Sequence, residues 1–454
     1  MPTIRKREAE SNAHDDECRG HCRRQKALLL RYPTPNHREA SQESSMDPAG
    51  PTSWKRTLYV IVFAQIVTSI GFSSFFPFLP LYVAELETNS RLSVEFLSGL
   101  AFSGQAFMMM IASPLWGMVA DRYGRKLMVE RAMFGGAVVI GLMGFARSAE
   151  ELVLLRAIQG LITGVISSHN ALVASVVPRE RTGYAMGLLQ VGLGIGVALG
   201  PLLGGLVADL FGYRSAFFVT GALLFVSGIV VWLGVREDFK PAATAKLASR
   251  MLAQKWKSIL FTPGVLITYS LRFISQFGRM TIFPILPFFI QSLMGDPSRV
   301  NTFTGMVVGT SSVFLTLSAV YLGRLGDRIG HRLILICCFI GGTLAFLPQG
   351  FVVFPWQLLV LQALGGAALG GIIPSISALL ARYTPPGEEG VVYGLDNSVT
   401  AGARALAPLF GASVAMWMGL RTTFTAIGLL FFMAGILSLW RLPREKAPPR
   451  EPGD

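Results

Sequence analysis

Few ionisable residues stand inside the long apolar runs of this sequence, and these few could do chemistry. Among them are Arg156, Arg272, Arg279, Asp396 and Arg404. A charge at the depth of a lipid bilayer costs at least about 2.5–3.5 kcal/mol, so it rarely persists without a partner or a role. We therefore expect these side chains to pair with one another, to bind a substrate or to carry protons.

The arginines late in the chain predict the charge of a binding site. Arg272, Gln276 and Arg279 recur at spacings of four and three, so they share one face of a helix. If Arg272, Arg279 and Arg404 line a central cavity, that cavity favours neutral or anionic amphiphiles over lipophilic cations. The alternative is that these arginines snorkel or pair with helix ends. In a central cavity, aromatic and Met surfaces would allow a broad choice of substrates. The candidates for these surfaces are Phe72, Phe76, Phe107, Met108 and Phe283.

Proton carriers form a second group of candidates. The middle of the first apolar run holds no Asp or Glu, which leaves Asp121, Glu130, His169 and Asp396. Asp396 is the first choice among the acids outside the 117–126 loop, since Arg404 stands two turns away on the same helix. His169 titrates near neutral pH and could act as a switch. The alternative is that His169, as a lone histidine in a helix, is simply hydrogen-bonded.

The composition is that of a membrane protein. The 454 residues are 52% hydrophobic and 15% charged, whereas soluble domains carry about 25% charge. Apolar stretches of roughly 20 residues, enough to cross about 30 Å of hydrocarbon, recur along the chain. The twelve predicted spans are 57–81, 96–119, 127–146, 151–177, 182–207, 214–235, 264–292, 301–322, 333–353, 356–381, 391–415 and 420–440.

Basic residues predict the orientation of these spans. They cluster in the segments that join spans 2–3, 4–5, 6–7, 8–9 and 10–11, and next to spans 1 and 12. The opposite loops hold little more than Arg91, Arg147, Arg214, Arg299 and Arg421. This asymmetry predicts that both termini are cytoplasmic. It also accounts for most of the net charge of +13 without a nucleic-acid partner.

The chain repeats itself at a fixed offset. The phrase F-P-x-L-P occurs in "FFPFLPLYV" and again 207 positions later in "IFPILPFFI"; "GMVADRYGRK" returns as "GRLGDRIGHR", and "GYRSAFF" as "GLRTTFT". Gln65 stands at the position equivalent to Arg272 and, like Gln276, is a further candidate for the lining of the substrate cavity. We predict a duplicated six-helix unit whose halves have the same orientation. The prolines either end the first helix of each half or bend it around a cavity.

The predicted boundaries follow from this duplication. They are a disordered cytoplasmic tail at 1–50, a first bundle at 51–235, a linker at 236–263, a second bundle at 264–442 and a second cytoplasmic tail at 443–454. Residues 1–45 are expected to be dispensable, or translation begins at Met46. Cys18, His21 and Cys22 lack a second metal-binding pair, so no metal site is predicted.

Three motifs identify a family. G-x-x-x-D-R-x-G-R-K, at Gly117, Asp121, Arg122, Gly124, Arg125 and Lys126, resembles the signature loop of the major facilitator superfamily. L-x-x-x-R-x-x-Q-G around Arg156 resembles its fourth-helix motif. A glycine motif resembles the fifth-helix motif of its drug:proton antiporters with twelve spans; the residues are Gly187, Gly196, Gly200, Pro201, Gly204 and Gly205. "WKR" before span 1 and "FLPLYV" at its end resemble the MdtG-type branch.

The resemblance implies roles for these motifs. The signature loop would be a latch whose charges pair across the two halves in one conformation, with Asp327 and Arg328 in a weaker second copy where His331 replaces an arginine. The plainer alternative is a tight turn anchored at the membrane surface. The fifth-helix glycines would seal one side and bias the carrier towards exchange. The alternative is only a packing seam between helices.

The resulting prediction is an all-α membrane protein with twelve spans in two pseudo-symmetric bundles of the major facilitator fold. It would export small amphiphilic compounds from a bacterial cell, across the inner membrane, in exchange for protons, as a monomer. No G-x-x-x-x-G-K-[ST] loop is present, so the proton gradient rather than ATP or a cofactor would supply the energy. The alternative is proton-linked or facilitated uptake of a sugar or organic anion. No motif indicates an enzyme.

Overall fold

The computed structural model of the chain describes residues 53–178, 181–235, 237, 264–383 and 389–443. The tail predicted at 1–50, the linker predicted at 236–263 apart from Glu237, and the residues after 443 lie outside the described part of the chain.

The described residues fold into helices that follow the predicted spans. Spans 1, 4, 7 and 10 are each divided into two helices. The bounds are Ser53–Ser74 with Leu79–Glu85, Val94–Tyr123, Arg125–Met143, Ala149–Ile162 with Val165–Val176, Thr182–Phe211, Tyr213–Gly234, Val265–Thr281 with Leu286–Leu293, Val300–Ile329, His331–Phe346, Pro355–Leu369 with Ile372–Tyr383, Glu389–Met418 and Leu420–Arg441. Short 3₁₀ helices at Pro297–Arg299 and Leu347–Phe351 precede span 8 and follow span 9.

Most of these helices are long and apolar enough to cross a membrane. Within the described residues nine qualify singly, and span 7 qualifies as a bent pair. Span 3 carries four charged residues in its first two turns, between Arg125 and Arg131. Span 4 is divided by a break near Gly164 into helices of 14 and 12 residues. Both pack against other helices of the first half, so protein encloses much of their polar surface.

The internal duplication is visible at the turns. Gly124 and Gly330, which join spans 2–3 and 8–9, have φ angles of 101° and 98°. Gly212 and Gly419, which join spans 5–6 and 11–12, have φ angles of 81° and 89°. Residues with a Cβ rarely adopt such angles, so each turn favours glycine. The repeated landmarks of the sequence therefore occupy equivalent places in two six-helix halves.

The repeated F-P-x-L-P phrases interrupt the first helix of each half. Span 1 is broken over 75–78 and span 7 over 282–285, and the two helices of span 7 meet at 44°. Proline removes a backbone donor and cannot continue the regular hydrogen bonding, which favours the break. The ring centroids of Phe76 and Phe283 are 5.1 Å apart. Because these residues are equivalents at an offset of 207, their contact lies at the pseudo-twofold axis.

The two halves meet tightly at the end that carries these prolines, which we call the proline end. Ser103 Oγ on span 2 accepts a hydrogen bond from the Leu409 amide on span 11 at 3.2 Å. On the other side of the axis, a Cβ on Gly205 of span 5 would overlap the backbone of Asn301 on span 8. Spans 2 and 5 of the first half thus close against spans 11 and 8 of the second.

The opposite end carries the loops 117–126 and 323–332, and we call it the signature end. A Cβ added to Gly117 of span 2, Gly187 of span 5 or Gly394 of span 11 would meet no atom of another helix within 4 Å. We therefore describe the proline end as closed; at the signature end, open space lies beside these glycines of spans 2, 5 and 11.

Each half has its own apolar core. In the second half it is one continuous cluster that includes Phe339, Phe424 and Phe431. In the first half, one cluster lies towards the proline end and another towards the signature end. Gln65 and His169, both buried, lie between these two clusters. Polar side chains therefore interrupt the core of the first half at mid-depth.

Candidate functional site: polar clusters between the closed and open ends

Arg156 is fully buried on span 4. Its Nη1 donates to Gln159 Oε1 at 2.6 Å, and its Nη2 donates to Gln105 Oε1 at 3.4 Å. The guanidinium lies 4.6 Å from the Phe75 ring centroid and 5.5 Å from that of Phe102. Among the described residues no carboxylate pairs with Arg156, so amide oxygens and aromatic faces stabilise its charge. The fourth-helix motif thus provides a fixed positive charge inside the first half.

His169 is buried on span 4 and bonds to span 1. Its Nδ1 lies 2.5 Å from Gln65 Oε1, while Gln65 Nε2 donates to Ser69 Oγ at 2.9 Å. Because an amide oxygen only accepts, Nδ1 carries the proton in this arrangement. The structure therefore places His169 in the hydrogen-bonded role that was the alternative to a proton carrier. Its Nε2 has no hydrogen-bond partner among the described atoms.

Asp396 forms an ion pair with span 7. Arg272 Nη2 lies 3.1 Å from Asp396 Oδ2, and Asp396 is 7% exposed. This corrects the partner expected from sequence spacing, Arg404, which is eight residues further along the same helix. Eight residues correspond to about 12 Å of helical rise, whereas a neighbouring helix brings a guanidinium directly to the carboxylate. Tyr269, one turn from Arg272, also interacts electrostatically with Asp396.

Two more guanidiniums lie near this ion pair. Arg279 Nη2 donates to Gln276 Oε1 at 3.1 Å, which confirms that these residues share a face of span 7. Arg279 is also close enough to Arg272 and Arg404 for mutual repulsion. The side chain of Arg404 is exposed to solvent, yet protein atoms surround it densely. A side chain that water reaches and that protein atoms also surround lines an internal crevice, and we place Arg404 in such a crevice.

The position of Arg404 shows where this crevice lies. Arg404 is one helical turn from Pro408 on the same face of span 11, and Pro408 faces Gly99 on span 2 of the other half. Across the seam, Phe107 is one turn beyond Ser103, which bonds to span 11. Phe107 is 47% exposed. Arg404 and Phe107 therefore face the space between the halves, immediately beneath the closed proline end.

Aromatic rings close this crevice at the proline end. Phe102 lies 5.7 Å from Phe76 and 6.5 Å from Phe283, measured between ring centroids. Two of the predicted cavity residues, Phe76 and Phe283, are thus part of the closure. Phe72 packs instead with the cores of the first half. Met108 is partly exposed on span 2.

Three glycines of the fifth-helix motif pack against span 1 in their own half. A Cβ on Gly196, Gly200 or Gly204 would overlap residues within 69–74. Ser73 Oγ donates to the Gly196 carbonyl oxygen at 2.9 Å, which is possible because spans 1 and 5 lie so close together. Small residues four positions apart thus let spans 1 and 5 approach closely at these positions.

The remaining small residues of the motif face the other half or open space. Gly205 contacts Asn301, and a Cβ on Gly305 would overlap the Pro201 backbone, so both join span 5 to span 8. A Cβ on Gly187, five residues into span 5, would meet no atom of another helix within 4 Å. Only the part of the motif near Pro201 and Gly205 therefore contributes to the seam between the halves.

A carboxylate that the sequence analysis missed also joins the halves. Asp209 Oδ1, near the end of span 5, accepts from Asn301 Nδ2 at 2.6 Å. Asp209 Oδ2 accepts from the Thr302 amide at 2.7 Å and from Thr302 Oγ1 at 2.6 Å. The carboxylate thus satisfies the first turn of span 8, where negative charge is favourable. We call Asp209, Asn301 and Thr302 the Asp209 latch; no local sequence pattern signals it, because its partners belong to a different helix.

The signature loop is held inside the first half. Arg125 Nη1 donates to the Ala171 carbonyl and Lys126 Nζ to the Trp232 carbonyl, both at 2.9 Å. Lys126 thus faces the C-terminus of span 6, where a positive charge is favourable. The backbone amides of Arg125 and Lys126 donate to the Glu237 carboxylate at 3.0 and 2.7 Å. Glu237, which was not a sequence candidate, therefore caps the start of span 3.

The second copy of the loop forms equivalent contacts. Arg332 Nη2 donates to the Leu439 carbonyl at 2.6 Å, as Lys126 does in the first half. His331 Nε2 lies 3.1 Å from Asp327 Oδ1. The side chain of Asp121 lies outside the described residues. Since these contacts stay within one half, a latch across the halves stays a prediction for another conformation.

The other predicted charges of the signature end lie apart from the crevice. Glu130 pairs with Lys126 at 3.4 Å. The Arg122 guanidinium lies 5.4 Å from the Tyr123 ring centroid, and Arg328 is exposed. The structure thus brings Arg272, Gln276, Arg279, Asp396 and Arg404 together and leaves the loop charges separate.

Two stretches of the chain, 61–271 and 268–454, each match the family model of the Major Facilitator Superfamily. The chain belongs to the Major Facilitator Superfamily. The two matches begin 207 positions apart, which is the offset of the repeated phrases. This membership confirms the predicted family, the all-α membrane fold in two six-helix halves, and a transport protein rather than an enzyme.

Known relatives of this superfamily member agree in sequence over most of its length. The multidrug resistance protein MdtG of Salmonella typhimurium is 37% identical over 386 residues, which are 85% of this chain and 95% of the relative. MdtG of Enterobacter lignolyticus is 38% identical over 384 residues, or 84% of this chain and 91% of the relative. The predicted similarity to the MdtG-type branch is confirmed.

Solved structures with lower identity share the fold. The human organic anion transporter MFSD10 (TETRAN) is 20% identical, with a TM-score of 0.61 over 86% of this chain and 100% of its own. A bacterial homologue of the human lysosomal transporter Spinster, inward-facing and unoccupied, is 14% identical, with a TM-score of 0.67 over 86% of this chain and 97% of its own.

Proposed function

We propose that this chain is a multidrug efflux transporter that exports small amphiphilic compounds in exchange for protons by alternating access. The observation that carries the proposal is the difference between the two ends: closed seams at the proline end, open space at the signature end, and an arginine-lined crevice between them. A carrier built from two similar halves can rock about such a site and expose it to one side at a time. The MdtG relatives, which are named for multidrug resistance, support export as the direction.

The distribution of positive charge supports an orientation. The signature end carries Arg122, Arg125, Lys126, Arg324 and Arg332, whereas the opposite loops hold few basic residues. Basic residues stay on the cytoplasmic side of membrane proteins. The described conformation is then open to the cytoplasm of a bacterial cell, with both termini on that side of the inner membrane.

Asp396 is the acid that we propose to carry the exchanged proton. It is buried, and its ion pair with Arg272 can respond to whatever enters the crevice. Glu130 pairs with Lys126 away from the crevice. His169 is bonded to Gln65 inside the first half. The geometry therefore favours Asp396 over these two candidates.

The test is transport by purified protein in proteoliposomes. A pH gradient should drive accumulation of a dye such as ethidium, and Asp396→Asn should abolish this drive while leaving dye counterflow without a gradient. Asp296→Asn is the matched control, because Asp296 bonds only to Ser298 in its own loop among the described contacts. Equal dye transport with and without a pH gradient in the unmodified protein would contradict proton exchange.

A second candidate function is proton-linked transport of a small organic anion. The charge of the crevice favours it, because Arg272 pairs with the single carboxylate of Asp396 while Arg279 and Arg404 add two further positive charges nearby. Cationic dyes would enter such a site against electrostatic repulsion.

A further inference from the structure

We infer that Arg272, Arg279 and Arg404 form a binding site for the anionic head group of an amphiphile, and that the anion displaces Asp396 from Arg272. This inference rests on the second candidate function, transport of an organic anion. The head group is a carboxylate, phosphonate or sulfonate, since these groups match the planar donors of arginine.

The charges of the crevice do not balance. Three positive side chains and one negative side chain give a net charge of +2. Arg272 and Arg404 both repel Arg279. An anion placed among these guanidiniums relieves the repulsion, which makes its binding favourable.

Unused donors point to the same place. Arg272 gives Nη2 to Asp396, while its Nε is buried without a hydrogen-bond partner among the described atoms. Arg279 gives Nη2 to Gln276 Oε1, and Gln276 Nε2 is likewise buried and unpartnered. Buried polar groups are normally hydrogen-bonded. The acceptor oxygens of a bound anion would complete these bonds.

The opposite half offers a surface for the apolar body of the ligand. Phe107 is exposed on span 2, opposite the stretch of span 11 that carries Arg404. The rings of Phe76, Phe102 and Phe283 close the crevice above it. A ligand with its charge on the second half and its apolar body on the first would contact both bodies that must move.

Competition for Arg272 links anion binding to a proton. In the described structure Arg272 balances the Asp396 carboxylate. When an anion takes this guanidinium, Asp396 is left buried without its cation, and it takes one proton from solution to form an O–H bond. The Asp396 Oδ1 atom, buried and unpartnered, is available for that proton. Arg272 remains charged throughout.

Other groups near Asp396 do not replace the lost cation. Tyr269 faces it from span 7, and Arg404 stands two turns away on its own helix. Spans 2 and 12 also pack on span 11. The described charged side chains near the ends of those two spans are Glu95 in the first turn of span 2, Arg122, which lies over Tyr123, Arg421, which donates to the Gly350 carbonyl, and Arg441.

The two candidate functions differ in whether the protein takes up or releases a proton when substrate binds. An anion that binds as inferred takes up a proton, so anion and proton occupy the carrier together. Exchange requires the reverse, a substrate whose binding releases a proton.

The measurement is isothermal titration calorimetry of the purified full-length protein with naphthalene-2-sulfonate in buffers of different ionisation enthalpy. This probe remains an anion at every working pH, so any proton taken up belongs to the protein.

We expect uptake of up to one proton per sulfonate bound. Asp396→Asn should bind the sulfonate more tightly and take up none, since the competing carboxylate is gone. Arg279→Gln and Arg404→Gln should each weaken binding at least about tenfold, because each removes a charged donor. Arg421→Gln, an arginine outside the crevice, should bind like the unmodified protein.

Several results would overturn the inference. They are proton release on binding, no binding at millimolar sulfonate, stronger binding of tetraphenylphosphonium than of sulfonate, or normal sulfonate binding by Arg404→Gln. Thermal unfolding of each variant checks its fold. Arg404→Lys keeps the positive charge but loses the planar pair of guanidinium donors, so it should weaken binding less than Arg404→Gln. Ethidium transport in proteoliposomes distinguishes the failures. Transport without sulfonate binding rejects the anion site alone, whereas sulfonate binding with proton uptake but no transport of any probe rejects the transport proposal alone.

Discussion

Removal of the Asp209 latch should open the proline end. Asp209→Ala deletes three hydrogen bonds to Asn301 and Thr302. Because the carboxylate is only half-buried, water satisfies the freed groups, and each bond then contributes about 1 kcal/mol. The sum of about 3 kcal/mol corresponds to about 150-fold in the ratio of closed to open molecules. The carboxylate is solvated once the seam has opened, so the change acts on the closed state.

Asp209→Asn should have a much smaller effect. The Asn301 amide can rotate and present its Oδ1, which is buried and unpartnered, to the new amide group. Hydrogen bonding is then retained, and only the negative charge at the start of span 8 is lost. That interaction is worth about 0.3–1 kcal/mol, or up to about fivefold in the same ratio.

Pulsed electron paramagnetic resonance measures these populations. Spin labels are attached at Asn89→Cys and Val353→Cys, two exposed positions near the proline end on opposite halves. The four native cysteines are first replaced by serine or alanine. We expect the long-distance component to grow in the order unmodified protein, Asp209→Asn, Asp209→Ala.

Asp296→Asn is the matched control for the latch. The backbone amide and hydroxyl of Ser298 hold the pKa of Asp296 below its usual range, and these contacts stay within one loop. The substitution removes the same charge from the same region without touching a described contact between the halves. An unchanged distance distribution in Asp209→Ala, or an equal change in Asp296→Asn, would refute the latch.

Three further predictions concern packing. Gly204→Ala should lower stability by about 1–3 kcal/mol, because its Cβ would overlap the backbone of span 1; Gly187→Ala, which enters open space, should leave the melting temperature of the purified protein unchanged. Arg156→Lys should lower melting temperature and transport, because the ammonium cannot keep both amide contacts and the ring contacts; equal melting of the variant and the unmodified protein would contradict this. Phe283→Ala removes a ring contact between the halves, so a thiol reagent added from the proline end should label Arg404→Cys faster in that background.

The sequence alone determined the repeat, the spans and the turns of this protein. The length of an apolar stretch predicts a span because the bilayer has a fixed thickness. The repeat at an offset of 206–207 positions can be read directly from the amino-acid sequence. The positive φ angles of Gly124 and Gly330 reflect a local requirement that only glycine meets easily. Buried arginines could likewise be identified as unusual from residue type and setting alone.

The choice of partners was decided only by the tertiary structure. Asp396 pairs with Arg272 and not with Arg404, since the side chain of an adjacent helix is nearer than one two turns along the same helix. Phe72, whose aromatic side chain made it a candidate for the cavity, packs in the core because its face of span 1 points into the first half. The Asp209 latch depends on span 5 lying beside span 8. A linear pattern records the spacing within one helix, but it does not record which helices become neighbours.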